Sequence, residues 1–135
     1  MIFIDTSAFL AIENPKDSHH QAALQFRNSC LESGEFFITS DYVLDESSTI
    51  VRFRASHSIA VQFGEDVQKS RIVLVERLTS EILDEAWQIF KKCFDQNFSF
   101  TDCTSFAFMK AMKIKTVFGF DEDFRKYGKF EVMPQ

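Results

Sequence analysis

The sequence predicts a parallel α/β protein, and three observations carry that expectation. Apolar runs short enough to be strands alternate with stretches of helical periodicity along the chain. The runs are continuously apolar, as strands covered on both faces are. The first of them, Met1-Ile-Phe-Ile-Asp5, opens the chain and ends on a carboxylate followed at once by Thr6 and Ser7. Strands joined by helices form a parallel sheet with right-handed crossovers.

Each element follows from its residues. Ala8 to Ile12 is read as a short helix that Asn14-Pro15 ends, because the residue before proline avoids helical angles. Ser18-x-x-Gln21 has the form of a capping box for a second helix with the stripe Ala22, Ala23, Phe26, Cys30 and Leu31, and Gly34 suits the position past its end. Phe36 to Thr39 is a buried strand. Ser40 or Asp41 caps a helix from Tyr42 towards Ala55, on which Val43, Ile50 and Phe53 share a face and Glu46 falls among them. A fourth helix starts near Ser56 or Ser58, and Ile72 to Val75 is a strand. Thr79 or Ser80 starts a helix striped by Leu83, Trp87, Phe90 and Phe94, with acids in its first turns and Lys91 and Lys92 near its end. That stripe reads as core. Thr101 is the expected N-cap of the next helix, which puts Asp102 in its first turn. Thr116 to Phe118 is a strand, Phe120 to Phe124 a loop or single turn, and Phe130 to Met133 the last strand.

Composition narrows the function. At 135 residues, 45% apolar and 26% charged, the chain is read as one domain over 1–135, without linker or repeat. It carries 17 Phe. A net charge of −5 argues against holding nucleic acid by bulk electrostatics, though Lys110, Lys113, Lys115, Arg125, Lys126 and Lys129 gather late in the chain. No basic-then-apolar leader and no membrane-length apolar run is present, so a cytoplasmic protein is expected. Cys30, Cys93 and Cys103 lack metal or disulfide spacing and read as reduced; His19, His20 and His57 read as surface groups.

The acids carry the functional signal. In parallel sheets, ligands bind beyond the C-terminal strand ends where strand order reverses. Asp5 and Asp121 follow strands, Asp102 opens a helix, and Glu46 lies in the early turns of another. Carboxylates gathered there repel one another unless a cation joins them, and an all-oxygen set suits Mg²⁺ or Mn²⁺. Such an ion serves phosphodiester hydrolysis. The Ser7 and Thr101 hydroxyls are candidates either to orient carboxylates or water or to serve as ordinary helix caps.

Four segments also resemble, in order, the motifs of the PIN-domain ribonucleases, in particular the VapC-type toxins of toxin–antitoxin pairs. Met-Ile-Phe-Ile-Asp5-Thr-Ser is similar to the opening strand and first acid, with Ser7 at the small polar position. Thr39 to Glu46 followed by Ser47-Ser48-Thr49 is similar to the second motif, Phe98 to Cys103 to the third, and Phe120 to Phe124 to the fourth. The resemblance spans essentially the whole chain. It implies a three-layer α/β/α sandwich with a central, mostly parallel sheet and a Mg²⁺- or Mn²⁺-dependent endoribonuclease with Asp5, Glu46, Asp102 and Asp121 catalytic. Of these, Asp5, Asp102 and Asp121 would hold metal, with Asp123 beside Asp121 to assist or replace it. It further implies an RNA substrate, a small antitoxin that covers the site, and a homodimer.

Other readings fit less well. A receiver domain wants an acidic pair and an acceptor Asp after an internal strand, and a haloacid-dehalogenase-like phosphatase wants a second Asp two residues after Asp5, where Ser7 stands. A non-catalytic PIN-like interaction module would be free to lose an acid, yet all four remain. A housekeeping RNA-processing nuclease would present the same residues as a toxin.

Overall fold

The computed structural model describes residues 1–135. Its elements run β1 (Ile2–Ile4), α1 (Thr6–Glu13), α2 (His20–Glu32), β2 (Phe37–Ser40), α3 (Asp41–Arg54), α4 (His57–Lys69), β3 (Val73–Glu76), α5 (Ser80–Lys92), α6 (Phe100–Met112), β4 (Thr116–Phe118), α7 (Asp123–Tyr127) and β5 (Glu131–Met133). All four strand pairings are parallel, and the sheet order is β3-β2-β1-β4-β5. The chain therefore adds strands to one side of β1 and then jumps to the other. The reversal falls between β1 and β4, where Phe3 pairs with Val117 and Ile4 with Phe118.

Side chains alternate across the sheet and define its layers. Phe3 points to the side of α6 and α7, with its ring 5.8 Å from Phe108 and 6.5 Å from Phe124. Phe118 points the other way, edge-on to Phe26 of α2 at 4.8 Å. The result is the expected α/β/α sandwich around one core of 28 buried residues. Much of the Phe excess serves it: Phe106 stacks on Tyr127 at 4.3 Å and meets Phe98 and Phe124 edge-on.

Several local expectations shift. α2 begins at His20 without a side-chain cap, so Ser18 and Gln21 do not form the expected box, whereas Gly34 does take the left-handed conformation past the helix end, at φ +75°. The N-cap of α6 is Ser99 rather than Thr101. Ser99 Oγ accepts from the Asp102 amide at 3.0 Å while Asp102 Oδ2 accepts from the Ser99 amide at 3.0 Å, a complete capping box with the acid at its third position. On α3 the buried residues are Val43, Ser47 and Val51, and Phe53 is 80% exposed. On α5 the residues packed inward are Ala86 and Ile89, with Ile82 and Cys93 partly buried beside them. The expected stripe lies one residue round the helix, leaving Trp87 51% and Phe94 89% exposed.

Candidate active site

The site is built where the strand order reverses. β1 and β4 lie side by side, so the residues that follow them emerge at the same edge. Asp5 caps α1 and is buried; its Oδ2 accepts from the Ser7 amide at 3.4 Å and from Ser7 Oγ at 3.2 Å. Ser7 Oγ in turn accepts from the Phe120 amide at 2.9 Å. One hydroxyl thus ties the turn after β1 to the turn after β4, the orienting role expected of Ser7. Gly119 makes that approach possible, since a Cβ built there would lie 3.2 Å from Ser7 Oγ and 3.4 Å from Asp5 Cβ.

Asp102 comes from the opposite side, at the third position of α6, and is buried. Asp121 and Asp123 come from the turn after β4, where the Asp123 amide donates to Asp121 Oδ1 at 3.0 Å. Carboxylate oxygens of Asp102, Asp121 and Asp123 all lie within 4.8 Å of one another. The sequence left Asp121 and Asp123 as alternatives for the fourth acid; the structure brings both into the cluster. Thr101 is less involved than expected: it does not cap α6, and its carbonyl accepts from Thr104 Oγ1 at 2.6 Å.

Glu46 reaches the site from α3. Its Oε1 accepts from Thr6 Oγ1 at 2.7 Å, and Ser47 Oγ donates to Thr6 Oγ1 at 3.2 Å. Thr6 and Ser47 are both buried. Neither was singled out from the sequence, because the residue after a strand-end Asp and a lone helical serine carry no periodic signal.

Asp5 and Glu46 lie outside that 4.8 Å set of three, yet near enough for charge to act between Asp5 and Glu46, Asp102 and Asp121. Burial, followed by the charges of Glu46 and Asp121, pushes the Asp5 carboxyl up to about 7 against the opposing pull of the Thr6 and Ser7 amides. Burial, its hydrogen bond with Asp123, and the charges of Asp5 and Asp123 push Asp102 up to about 8. Asp121 is raised as well, chiefly by burial, with Lys126 pulling the other way. None of the four ion pairs of the molecule involves these acids. At neutral pH the metal-free cluster therefore holds protons that a cation would displace, and its all-oxygen donors fit a hard divalent ion. Burial pushes the neighbouring Cys103 thiol up to about 12, leaving it inert as a nucleophile.

A parallel sheet that gathers carboxylates without internal counter-ions at its reversal point defines a class, the divalent-metal hydrolases of phosphate esters. A family model described as PIN domain matches residues 2–130, and the chain belongs to that family. Over all 135 residues, covering 100% of both chains, it is 34% identical to the 23S rRNA-specific endonuclease VapC20 of Mycobacterium tuberculosis. The crystal structure of VapC20, described as a Sarcin-Ricin loop cleaving toxin, superposes with a TM-score of 0.86 at 32% identity, over 99% of this chain and 100% of that one. VapBC2 from Rickettsia felis, bound to a DNA fragment from its promoter, gives a TM-score of 0.74 at 10% identity, covering 98% and 97%. FitAcB from Neisseria gonorrhoeae gives 0.70 at 17%, covering 99% and 97%. These last two attest the fold. The chain is a PIN-domain endoribonuclease of the VapC toxin type, within a family of nucleases that generally depend on divalent metal.

Proposed function

We propose that this single-domain chain, residues 1–135, is a cytoplasmic Mg²⁺- or Mn²⁺-dependent toxin that cuts a loop of the large-subunit ribosomal RNA. In this reading it acts as a homodimer and is held in check by a small antitoxin. The observation that carries the reading is the set Asp102, Asp121 and Asp123, with Asp5 close enough to feel the charges of Glu46 and Asp121 and to act on Asp102. The full-length identity to a 23S rRNA endonuclease supports the substrate class. Kinship with a toxin of the VapC type supports a protein partner that restrains it.

Asp5, Asp102 and Asp121, joined by Asp123, would hold the cation. Bound there, it would polarise a phosphoryl oxygen and make water a stronger nucleophile at neutral pH. The chain's own groups do the rest. Glu46, fixed through one oxygen, accepts the proton of the attacking water on the other. Ser7 keeps Asp5 oriented, and burial of Asp5 and Asp102 strengthens every charge interaction at the scissile phosphate.

The test is cleavage of an RNA stem-loop copied from the 23S loop against an unrelated stem-loop of equal length. Cleavage in Mg²⁺ at one loop position and none in EDTA is expected. Asp5→Asn and Asp102→Asn should each lose at least about a hundredfold, the scale for removing one electrostatic group from a preorganised site. Wild-type, EDTA-sensitive rates in both amide variants would overturn the assignment.

A further inference from the structure

The three hydroxyl and carboxyl groups that link α1 to α3 form a chain whose direction is fixed. Glu46, when ionised, can only accept, so Thr6 Oγ1 must spend its single proton on Glu46 Oε1 at 2.7 Å. Its lone pair is then free to accept from Ser47 Oγ at 3.2 Å. Ser47 is fully buried and Thr6 is 5% exposed, so water does not compete for either hydroxyl. Glu46 Oε2 accepts no hydrogen bond from the protein. The carboxylate is thus clamped by one oxygen and free of protein hydrogen bonds at the other, and it lies near enough to Asp5 for its charge to oppose that ionisation.

We propose that Thr6, backed by Ser47, is a positioning residue that fixes Glu46 in the orientation cleavage requires. The inference rests on the role given to Glu46 above. A purely steric role would be satisfied by another β-branched side chain at position 6, because valine is close to threonine in shape and is likewise branched at Cβ. Positioning needs the hydroxyl. Outer hydrogen-bond partners of site groups typically cost about 10–100-fold in activity when removed.

The test uses the full chain. Thr6→Val alone would strand the Ser47 hydroxyl, so the Thr6→Val/Ser47→Ala pair is made beside it, removing both polar partners and leaving the packed volume nearly intact. The pair should unfold at close to the wild-type temperature yet cut the 23S stem-loop about 10–100-fold more slowly in single turnover. Thr6→Ser should restore most of the rate. Added to Glu46→Gln, the pair should cause no further loss, which a general structural defect would. Independently of activity, NMR of the metal-free protein should show a slowly exchanging Thr6 hydroxyl proton that shifts in Glu46→Gln. Wild-type cleavage by the Val/Ala pair, or a Thr6 hydroxyl indifferent to Glu46→Gln, would overturn the relay. If Glu46→Gln itself cleaves like wild type, the role given to Glu46 fails instead, whatever the hydroxyl shows.

Discussion

The acidic notch and the outer face of α5 invert the usual rule of burial in opposite directions. At the notch, Asp5 and Asp102 are buried although carboxylates belong in water; on α5 and just past its end, Trp87, Phe90 and Phe94 are exposed although aromatics belong in the core. The two inversions differ in what surrounds them. The notch residues are held by specific bonds: Ser7 orients Asp5 and reaches the turn after β4, Ser99 and Asp102 cap one another, and Thr6 of α1 clamps Glu46 of α3. Trp87 and Phe90 meet one another at 5.6 Å, and each ring lies 5.9 Å from Phe100. A buried carboxylate is costly and persists here inside a hydrogen-bonded frame, whereas an exposed ring costs the folded monomer little.

The largest effect that sharpens this contrast is in stability. Phe106 is fully buried among Phe98, Phe124, Tyr127 and Phe130, so Phe106→Ala should cost about 3–5 kcal/mol. Phe94→Ser should change stability by no more than about 0.5 kcal/mol. Urea unfolding of the two variants measures the difference. Comparable losses would mean that the outer face of α5 is part of the core after all.

A second effect concerns pH. Asp5 and Asp102 are raised to about 7 and about 8 in the folded state from an ordinary value of 3.8. Between about pH 4 and 8 the native protein keeps protons that the unfolded chain has released, so stability must fall as pH rises through that window. The metal-free protein should therefore melt at a lower temperature at pH 8.5 than at pH 5.5. Mg²⁺, which binds the deprotonated acids, should raise the melting temperature more at pH 8.5. Asp102→Asn removes one of the titrating groups and should flatten the slope. A melting temperature that climbs with pH in EDTA would break the picture of a proton-holding notch.

Most of the fold was legible because its signals are local: apolar runs for strands, helical periodicity between them, Ser40, Ser56 and Thr79 as caps. The failures came where two patterns compete on one helix. On α5 the lines Ile82-Ala86-Ile89-Cys93 and Leu83-Trp87-Phe90-Phe94 have the same spacing and sit side by side. Counting hydrophobicity selects the bulkier line, but the structure buries Ala86 and Ile89 and leaves Trp87 and Phe90 exposed. On α3, of the neighbours expected for Glu46 only Val43 is buried; Ile50 is half-buried, Phe53 is exposed, and the buried line runs on through Ser47 and Val51. Ser47 is invisible to a hydrophobic pattern because its burial depends on Thr6, 41 positions away. Asp121 is preferred to Asp123 on resemblance alone, because a turn has no periodicity to rank them, and in the structure both lie in the cluster.

Gly119 offers the smallest and most local test, because it touches the notch without supplying a charge. Its backbone is not in the left-handed region, so alanine there introduces no conformational strain; what it introduces is a methyl 3.2 Å from Ser7 Oγ and 3.4 Å from Asp5 Cβ. The first distance is tighter than a comfortable contact, and Ser7 cannot yield without loosening its bonds to Asp5 and to the Phe120 amide. Gly119→Ala should therefore leave thermal stability within about 1 kcal/mol of wild type, in the ordinary range of point substitutions. It should still slow cleavage by about tenfold or more, the lower end of what disturbing an outer partner of a site carboxylate costs. If Ser7 gives way freely, Gly119→Ala and Gly119→Ala/Ser7→Ala will cleave at different rates. If the methyl acts only by displacing the Ser7 hydroxyl, the double variant should be no slower than Ser7→Ala alone, which isolates the contact through which the turn after β4 sets the orientation of Asp5.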